Sequence, residues 1–592
     1  MIIQRLNISD EPLYLRHHGN IKNDDGVLEL DKNAGICTNT YFNACSVGKW
    51  FHYCDIDKIV LNVEYSGCIR VKVVQAYYNG EQYIEKSLCS VKLSSDARKI
   101  FKYEIDINKE GIIYYKITAI ISDAKIYSAF YECEAAKERE INIALNICTY
   151  KREQYLMKNI SLLQRRILKN IHSPLYGHLK VFITDNAGTI VSETLQDDNV
   201  FVSHNPNIGG AGGFTRGLLE ILKYRGDKIT NIIFMDDDVE IEVEGILRTF
   251  YLLKLLKNEF LNSFIAGAML RLDKPYIQHE NGALWNMGRC NFVNRGLDLR
   301  YFKNAVYNEV DTERDYAAWW FCCIPMSVVS AENLPLPMFI HQDDTEYSLR
   351  NTKSIITMNG IAIWHEAADN KRISTNEYYN LRNMMIVNSK YCDNYSINLV
   401  EREVRNRLLA ALLRYRYKDM YLIIQAVEDF CKGPEWLFQL NAADYHKKLQ
   451  DLGYTMQDIT EYIDHAKHKV KSDVSKTRKK ANKKIIHTIK LLFYAFTLNG
   501  WFFPAKKGIY AFGMGVHPKE LFRINRVILY DDVSNQGIIV DKQFYQIFVM
   551  LKLYVKAKKI IRKRFNLSVE DYRRNFYKLQ SIKYWEKAIY EP

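Results

Sequence analysis

Three adjacent carboxylates, Asp236, Asp237 and Asp238, lie within the run Phe234-Met235-Asp236-Asp237-Asp238-Val239, just after the apolar pair Ile232-Ile233. A long amphipathic segment follows. That order predicts a buried strand with acids at its C-terminal end, where ligands gather in an open α/β sheet. Carboxylates so close repel one another unless something positive sits among them. A divalent cation of the Mg or Mn type answers that need, because it prefers oxygen ligands and bridges to phosphate. The cluster therefore points to metal-assisted chemistry on a nucleotide or phosphate. A strand ending in D-x-D also suits an aspartyl-phosphate phosphatase, but such enzymes carry it on the first strand of their domain. Here it comes near the fourth, which favours nucleotide-sugar transfer.

Four further motifs could share that chemistry. His341-Gln342-Asp343-Asp344-Thr345-Glu346 brings a second acidic pair. A carboxylate there could take a proton from an attacking hydroxyl, or it could cap a helix begun by Thr345-Glu346. Ile363-Trp364-His365-Glu366 follows an apolar run, and a neutral imidazole in that place suits a metal such as Mn2+. The alternative is a structural histidine. Trp319 and Trp320 offer indole faces that could pack on a sugar, or simply fill the core. The stretch Asn205 to Gly217 (NPNIGGAGGFTRG) is a glycine-rich strand-to-helix connection. It could hold an anion at a helix N-terminus, but it lacks the dinucleotide fingerprint, having Thr215 at the third glycine position, and the P-loop Lys-Ser/Thr as well. A tight turn serves equally.

The elements that must position these residues alternate. Ile141 to Cys148, Leu179 to Thr184 and Val200 to Ser203 read as strands separated by helical stretches, so residues 139–395 predict a mostly parallel α/β sheet. Residues 1–138 instead show short alternating runs broken by Gly and Asn/Asp turns, as in a β-sandwich or barrel. Residues 396–592 carry helical periodicity and read as a mainly helical domain.

Composition excludes several classes. The chain has 592 residues, with 11 Pro and 28 Gly, which argues against disorder or a repeat array. Aromatics reach 13%, including 41 Tyr, through aromatic-rich cores or sugar-stacking surfaces. Twelve cysteines form no paired zinc spacing, and adjacent Cys322-Cys323 suits neither zinc nor an ordinary disulfide, so reduced, intracellular thiols are expected. No apolar h-region follows Met1 and no apolar run reaches the ~20 residues of a spanning helix, so neither a signal peptide nor a membrane span is expected. The net charge is +13, with nine Lys/Arg against one Asp between Lys467 and Lys484 and a second basic run at Lys556 to Arg564. Next to the aromatic stretch Ile489 to Phe503 these runs suggest an anionic membrane surface; a solvated helix face is the plainer reading. Nucleic acid is not expected, since no binding motif accompanies the charge.

In this order, the motifs resemble the glycosyltransferase family 2 enzymes of GT-A fold that build galactofuranose polymers, the galactofuranosyltransferases of mycobacterial galactan and their bacterial relatives. The resemblance rests on Cys148-Thr149-Tyr150-Lys151-Arg152, the glycine-rich loop, the triple aspartate, Trp319 to Pro325, the segment His341 to Arg350, Ile363 to Glu366, and Tyr378-Tyr379-Asn380-Leu381-Arg382-Asn383. It implies a Rossmann-like GT-A catalytic domain between the N-terminal β domain and the C-terminal helices. It also implies Asp236, Asp238 and His365 as ligands of Mn2+ or Mg2+. Thr149, Arg152, Asn207, Gly210 and Asp237 would bind the UDP-sugar donor. Asp344 would be the catalytic base with Asp343 beside it, and Trp319 and Trp320 would shape the acceptor site. The implied reaction is inverting transfer of galactofuranose from UDP-galactofuranose to a growing, lipid-linked, galactan-like glycan. It would take place in the cytoplasm, on the inner face of the cell membrane, and the family hints at a homo-oligomer. Transfer of another sugar, such as rhamnose from a dTDP donor, is the alternative; a phosphatase or a non-catalytic glycan-binding protein is a third. One departure stands out: the family's acceptor motif reads Trp-Asp-Asp, and this chain has Gln342 in place of the Trp.

Overall fold

A computed structural model describes residues 1–592 except 10, 107–108, 136, 192–194, 368–374, 465–467, 471–496, 532–534 and 591–592. Most of the basic run at 467–484 and much of the aromatic stretch from Ile489 therefore lie outside the described residues.

The N-terminal region folds as a nine-stranded sheet whose pairings are antiparallel. Its spine is the 24-residue strand Ile56–Asn79. One edge of this strand pairs along its length with Gln82–Asp106, while the other is shared by Ala124–Ala135 and Ile112–Ala119 in turn. The alternating residues Ile59, Leu61, Val63, Ile69, Val71 and Val73 are fully buried, as period-two patterning requires. That face packs into one continuous core with the central region through Ile143, Leu145 and Ile147.

The central region is built on a seven-stranded mixed sheet. Ile143–Thr149, Leu179–Asp185, Val200–His204 and Asn231–Asp236 are parallel, and Cys322–Pro325 adds to the last of them antiparallel. In chain order the four parallel strands lie third, second, first, fourth. The order thus reverses between Ile143–Thr149 and Asn231–Asp236, and the crevice at such a switch point is where open α/β sheets bind ligands. Thr149 and Asp236 end the two strands that flank it. A smaller four-stranded sheet joins Glu240–Ile241, Ala362–His365, Ala268–Arg271 and Gln278–Glu280. It carries His365 back toward the aspartates.

The C-terminal region has more than helices. Ile397–Leu413, Tyr417–Phe430 and the 34-residue Gln546–Leu579 pack together. Beside them stands a five-stranded sheet that includes Gln536–Asp541, Arg526–Tyr530 and Tyr510–Gly513. The sequence reading lacks that sheet, because its strands are short and lie among strongly helical segments. The C-terminal end braces the segments on either side of the acidic loop: Trp585, in the final helix Ile582–Tyr590, donates its indole N–H to the Pro335 carbonyl at 2.9 Å, and the Arg350 guanidinium donates to Oε1 of Gln580, the cap of Gln546–Leu579, at 2.7 Å.

Candidate functional site

The acids converge with the histidine. Oxygen atoms of Asp236 and Asp238 and a ring nitrogen of His365 all lie within 4.8 Å of one another. His365 Nε2 is 3.0 Å from Asp238 Oδ1 and 3.9 Å from Asp236 Oδ2. Two ligands held about 2.1 Å from a small divalent cation stand about 3 to 4.2 Å apart, so these separations suit a shared ion. Two carboxylates and an imidazole are a donor set such a cation accepts. The group could therefore hold a metal.

Asp237 faces a different set. Burial pushes its carboxyl up to about 6, while Arg152 and the Thr149 hydroxyl act in the other direction. Thr149 Oγ1 donates to Asp237 Oδ2 at 2.7 Å and Arg152 Nη1 to Oδ1 at 3.3 Å. Arg152 also pairs with Asp238. Asn159 donates to the Asp237 and Val239 carbonyls, fixing the turn after the strand. Thr149, Arg152 and Asp237 thus form one hydrogen-bonded unit beside the metal-competent group.

The second acidic pair stands in the first turn of the helix Asp343–Asn351. Neither aspartate is the N-cap; that position belongs to Gln342, in the left-handed region at φ 62°. Phe339 and His341 also have positive φ, at 70° and 68°. Three such non-glycine residues in four store strain that the surroundings must hold. The motif Tyr378 to Asn383 supplies the hold: Asn383 Nδ2 donates to the carbonyls of Met338, Ile340 and His341 at 3.0, 2.8 and 2.9 Å, and Arg382 Nη2 to Met338 at 2.9 Å. Burial raises both Asp343 and Asp344, the charge of Asp344 raises Asp343 further, and that of Asp236 acts on both.

The glycine-rich loop is explained chiefly by packing. Its helix, Gly209–Lys223, lies so close to the strand Ile143–Thr149 that a Cβ on Gly213 would stand 2.1 Å from Cys148 Sγ, and one on Gly217 2.0 Å from Asn146 Oδ1. Asn207 accepts from the Gly209 N–H at 3.3 Å, within its own turn. Only Gly210 faces the acids: a Cβ there would be 4.0 Å from Asp343 Oδ2.

The two tryptophans part company. Trp319 is buried in the core, stacked on Phe234 at 4.5 Å with Phe214 and Tyr347 against its edges. Its covered faces leave no surface for a sugar, which corrects the expectation of an acceptor wall at this residue. Trp320 is half-buried and near-parallel to the His365 ring at 6.2 Å. A residue that sequence reasoning missed stands nearby. Glu280 is buried, neither carboxylate oxygen has a hydrogen-bond partner, and burial together with the Asp344 charge pushes it well above the usual carboxylate range. It sits in the three-residue strand Gln278–Glu280, too short to show a pattern.

A surface feature lies apart from these acids. Phe502 and Phe548 are 67% and 73% exposed, and Phe544, Leu551 and Val555 are also exposed. Phe548, Leu551 and Val555 share one face of the helix Gln546–Leu579, which also exposes Lys552, Lys556 and Lys559. No described helix is long and apolar enough to cross a membrane.

Comparison with known proteins agrees with the motifs. The family model for the galactofuranosyltransferase 2 N-terminal region matches residues 11–133, which fall in the nine-stranded sheet. The chain is 28% identical over 442 residues to galactofuranosyltransferase GlfT2 of Mycolicibacterium smegmatis, covering 70% of this chain and 66% of that relative. It is 26% identical over 442 residues to GlfT2 of Mycobacterium tuberculosis, covering 70% and 68%. A mannosyltransferase structure from Pyrobaculum calidifontis, in complex with GDP-Man and Mn2+, aligns at 12% identity over 53% of this chain and 81% of its own, with a TM-score of 0.29, too slight to bear on the fold. The sequence matches make the chain a relative of glycosyltransferases. More particularly it is GlfT2-like, as its motifs had implied.

Proposed function

We propose that the protein is an inverting, metal-dependent galactofuranosyltransferase that moves galactofuranose from UDP-galactofuranose onto a growing, galactan-like glycan. The observation that carries this reading is the convergence of Asp236, Asp238 and His365 with the strained acidic loop at Asp343-Asp344, in a chain related to GlfT2. The central region, residues 139–395, is read as a GT-A domain between an N-terminal β domain, 1–138, and a C-terminal domain, 396–592.

In this reading Asp236, Asp238 and His365 hold Mn2+ or Mg2+, which supplies Lewis-acid stabilisation of the departing diphosphate. Thr149, Arg152 and Asp237 line the nucleotide side, with the Asn207 and Gly210 backbone beside them. Asp344 takes the proton from the acceptor hydroxyl, its affinity for that proton raised by burial and by the Asp236 charge, while its own charge raises Asp343 beside it. One base suffices, because the nucleotide is already a good leaving group, and a single displacement inverts the anomeric centre. Glu280 and Trp320 border the acceptor side. The exposed apolar face of Gln546–Leu579, with its lysines, docks the protein on an anionic membrane where a lipid-linked acceptor resides. Calorimetric titration of UDP with and without Mn2+ tests the donor half: binding that needs the metal supports it, and binding indifferent to the metal opposes it.

A further inference from the structure

A cavity of about 530 Å³ lies between the N-terminal segment Glu11 to Tyr14 and the smaller sheet of the central region. Trp364 and Glu240 are direct cross-strand partners and both line it, as neighbours on one face of a sheet do. His365 is the next residue along the strand, so its side chain leaves from the opposite face, toward Asp236 and Asp238. The cavity therefore stands behind the metal-competent group and shares none of its ligands.

Trp364 is held as a rigid platform. Tyr14 stacks on Phe42 with ring centres 4.4 Å apart, Phe42 meets Trp364 at 5.7 Å, and the Trp364 indole donates to the Pro275 carbonyl at 2.9 Å. Tyr276 supplies a second ring to the wall, backed by the Arg300 guanidinium at 3.5 Å. Both Trp364 and Tyr276 are half-buried. Two exposed carboxylates, Glu11 and Glu240, border them. Glu240 meets Lys158 through Oε1 at 2.6 Å, and Glu11 has no side-chain hydrogen bond among the described residues. No Lys or Arg lines this cavity among the described residues, which disfavours anions such as a diphosphate or an acidic lipid headgroup. The lining suits a ligand with C–H faces for the rings and hydroxyl hydrogens for the carboxylates, and a neutral sugar offers both. A cationic segment is the other class that aromatic rings and carboxylates attract. Here Lys158 already engages Glu240, and Arg300 already covers Tyr276.

We infer that this cavity is a second glycan-binding site, which holds a stretch of neutral oligosaccharide against Trp364 and Tyr276, away from the reacting end. That the oligosaccharide is galactofuranosyl rests on the reaction proposed above.

The test uses the full-length protein labelled with fluorotryptophan and titrated, without donor or Mn2+, with a galactofuranosyl tetrasaccharide. The Trp364 fluorine resonance, identified by its absence from Trp364→Phe, should shift and saturate. Glu11→Gln should raise the Kd read from that shift by about tenfold, the scale of one hydrogen bond to a charged group. The same variant should leave kcat with a disaccharide acceptor unchanged. A Trp364 resonance that does not move overturns the inference. So does an isotherm that Glu11→Gln leaves unaltered, which would place the saccharide elsewhere. A shift produced by an oligolysine peptide and not by the saccharide also overturns it, and would assign the cavity to a cationic partner. A saturable, Glu11-dependent shift in protein that transfers no sugar upholds the cavity and refutes the reaction; transfer with an unmoved resonance does the reverse.

Discussion

The backbone carbonyl of Phe339 occupies the place where a side chain on residue 209 would have to stand: a Cβ on Gly209 would lie 2.1 Å from it. Gly209 has φ +77°, and the Ala211 N–H donates to that same carbonyl at 3.1 Å. The glycine-rich helix start and the loop carrying Asp343-Asp344 are thereby locked together. Gly209→Ala combines a left-handed backbone with a clash against main chain, and is expected to cost about 3 kcal/mol or more. A lowered urea midpoint with loss of transfer is the expected result. A variant as stable and active as the parent would show that the two segments are not coupled.

The metal-competent group gives the second expectation. Asp238→Ala removes an oxygen of the metal-competent group and one partner of Arg152. Mn2+-dependent UDP affinity should fall by at least about tenfold, even allowing that outer ligands alone carry that much. Calorimetry with and without Mn2+ measures it, and an unchanged metal dependence contradicts the ligand assignment.

The acidic pair should be visible in the pH profile. Burial and like charge raise both carboxyls, and a base works only when deprotonated, so kcat/KM should rise with pH along a limb above the ordinary carboxylate value of about 4. The stability sign is opposite in sense: the folded protein retains protons that the unfolded chain has lost, so stability falls as pH rises through this window. Asp344→Asn should retain UDP binding and abolish transfer. Asp343→Asn should leave the limb in place, because the Asp344 charge raises Asp343 and Asp343 keeps its proton where Asp344 loses its own; a limb that moves to lower pH would show that Asp343 is charged in that range.

Much of this site was legible in the chain because its acids end apolar runs. Asp236 and His365 each end a buried strand, with Asp237 and Asp238 just beyond the first, so the end of an apolar run marks where these side chains meet. Trp319 was not legible, since an aromatic beside a strand serves core or ligand equally until its faces are seen. Glu280 gave no signal at all: its strand has three residues, all buried and all polar or charged, the opposite of what patterning looks for. The glycines read equally as an anion cradle or a tight turn, and Gly213 and Gly217 let a helix approach Cys148 and Asn146. The C-terminal sheet escaped because four- to six-residue strands such as Tyr510–Gly513 and Gln536–Asp541 carry too little periodicity among long helices.

The exposed face of the long C-terminal helix leads to a membrane experiment. Burying a Phe side chain contributes about 2 kcal/mol, so Phe548→Glu should weaken binding to vesicles containing anionic lipid by roughly thirtyfold. Sedimentation with phosphatidylglycerol vesicles reads this directly. Unchanged sedimentation would remove the helix face from the docking surface.

The sugar that moves can be read directly from the product. With Mn2+ and a galactofuranosyl oligosaccharide acceptor, UDP-galactofuranose, UDP-galactopyranose and dTDP-rhamnose should be offered in parallel and the products weighed by mass spectrometry. Extension by hexose units is expected from UDP-galactofuranose alone, abolished by chelation and by Asp344→Asn. Extension from dTDP-rhamnose or UDP-galactopyranose, with none from UDP-galactofuranose, would contradict it.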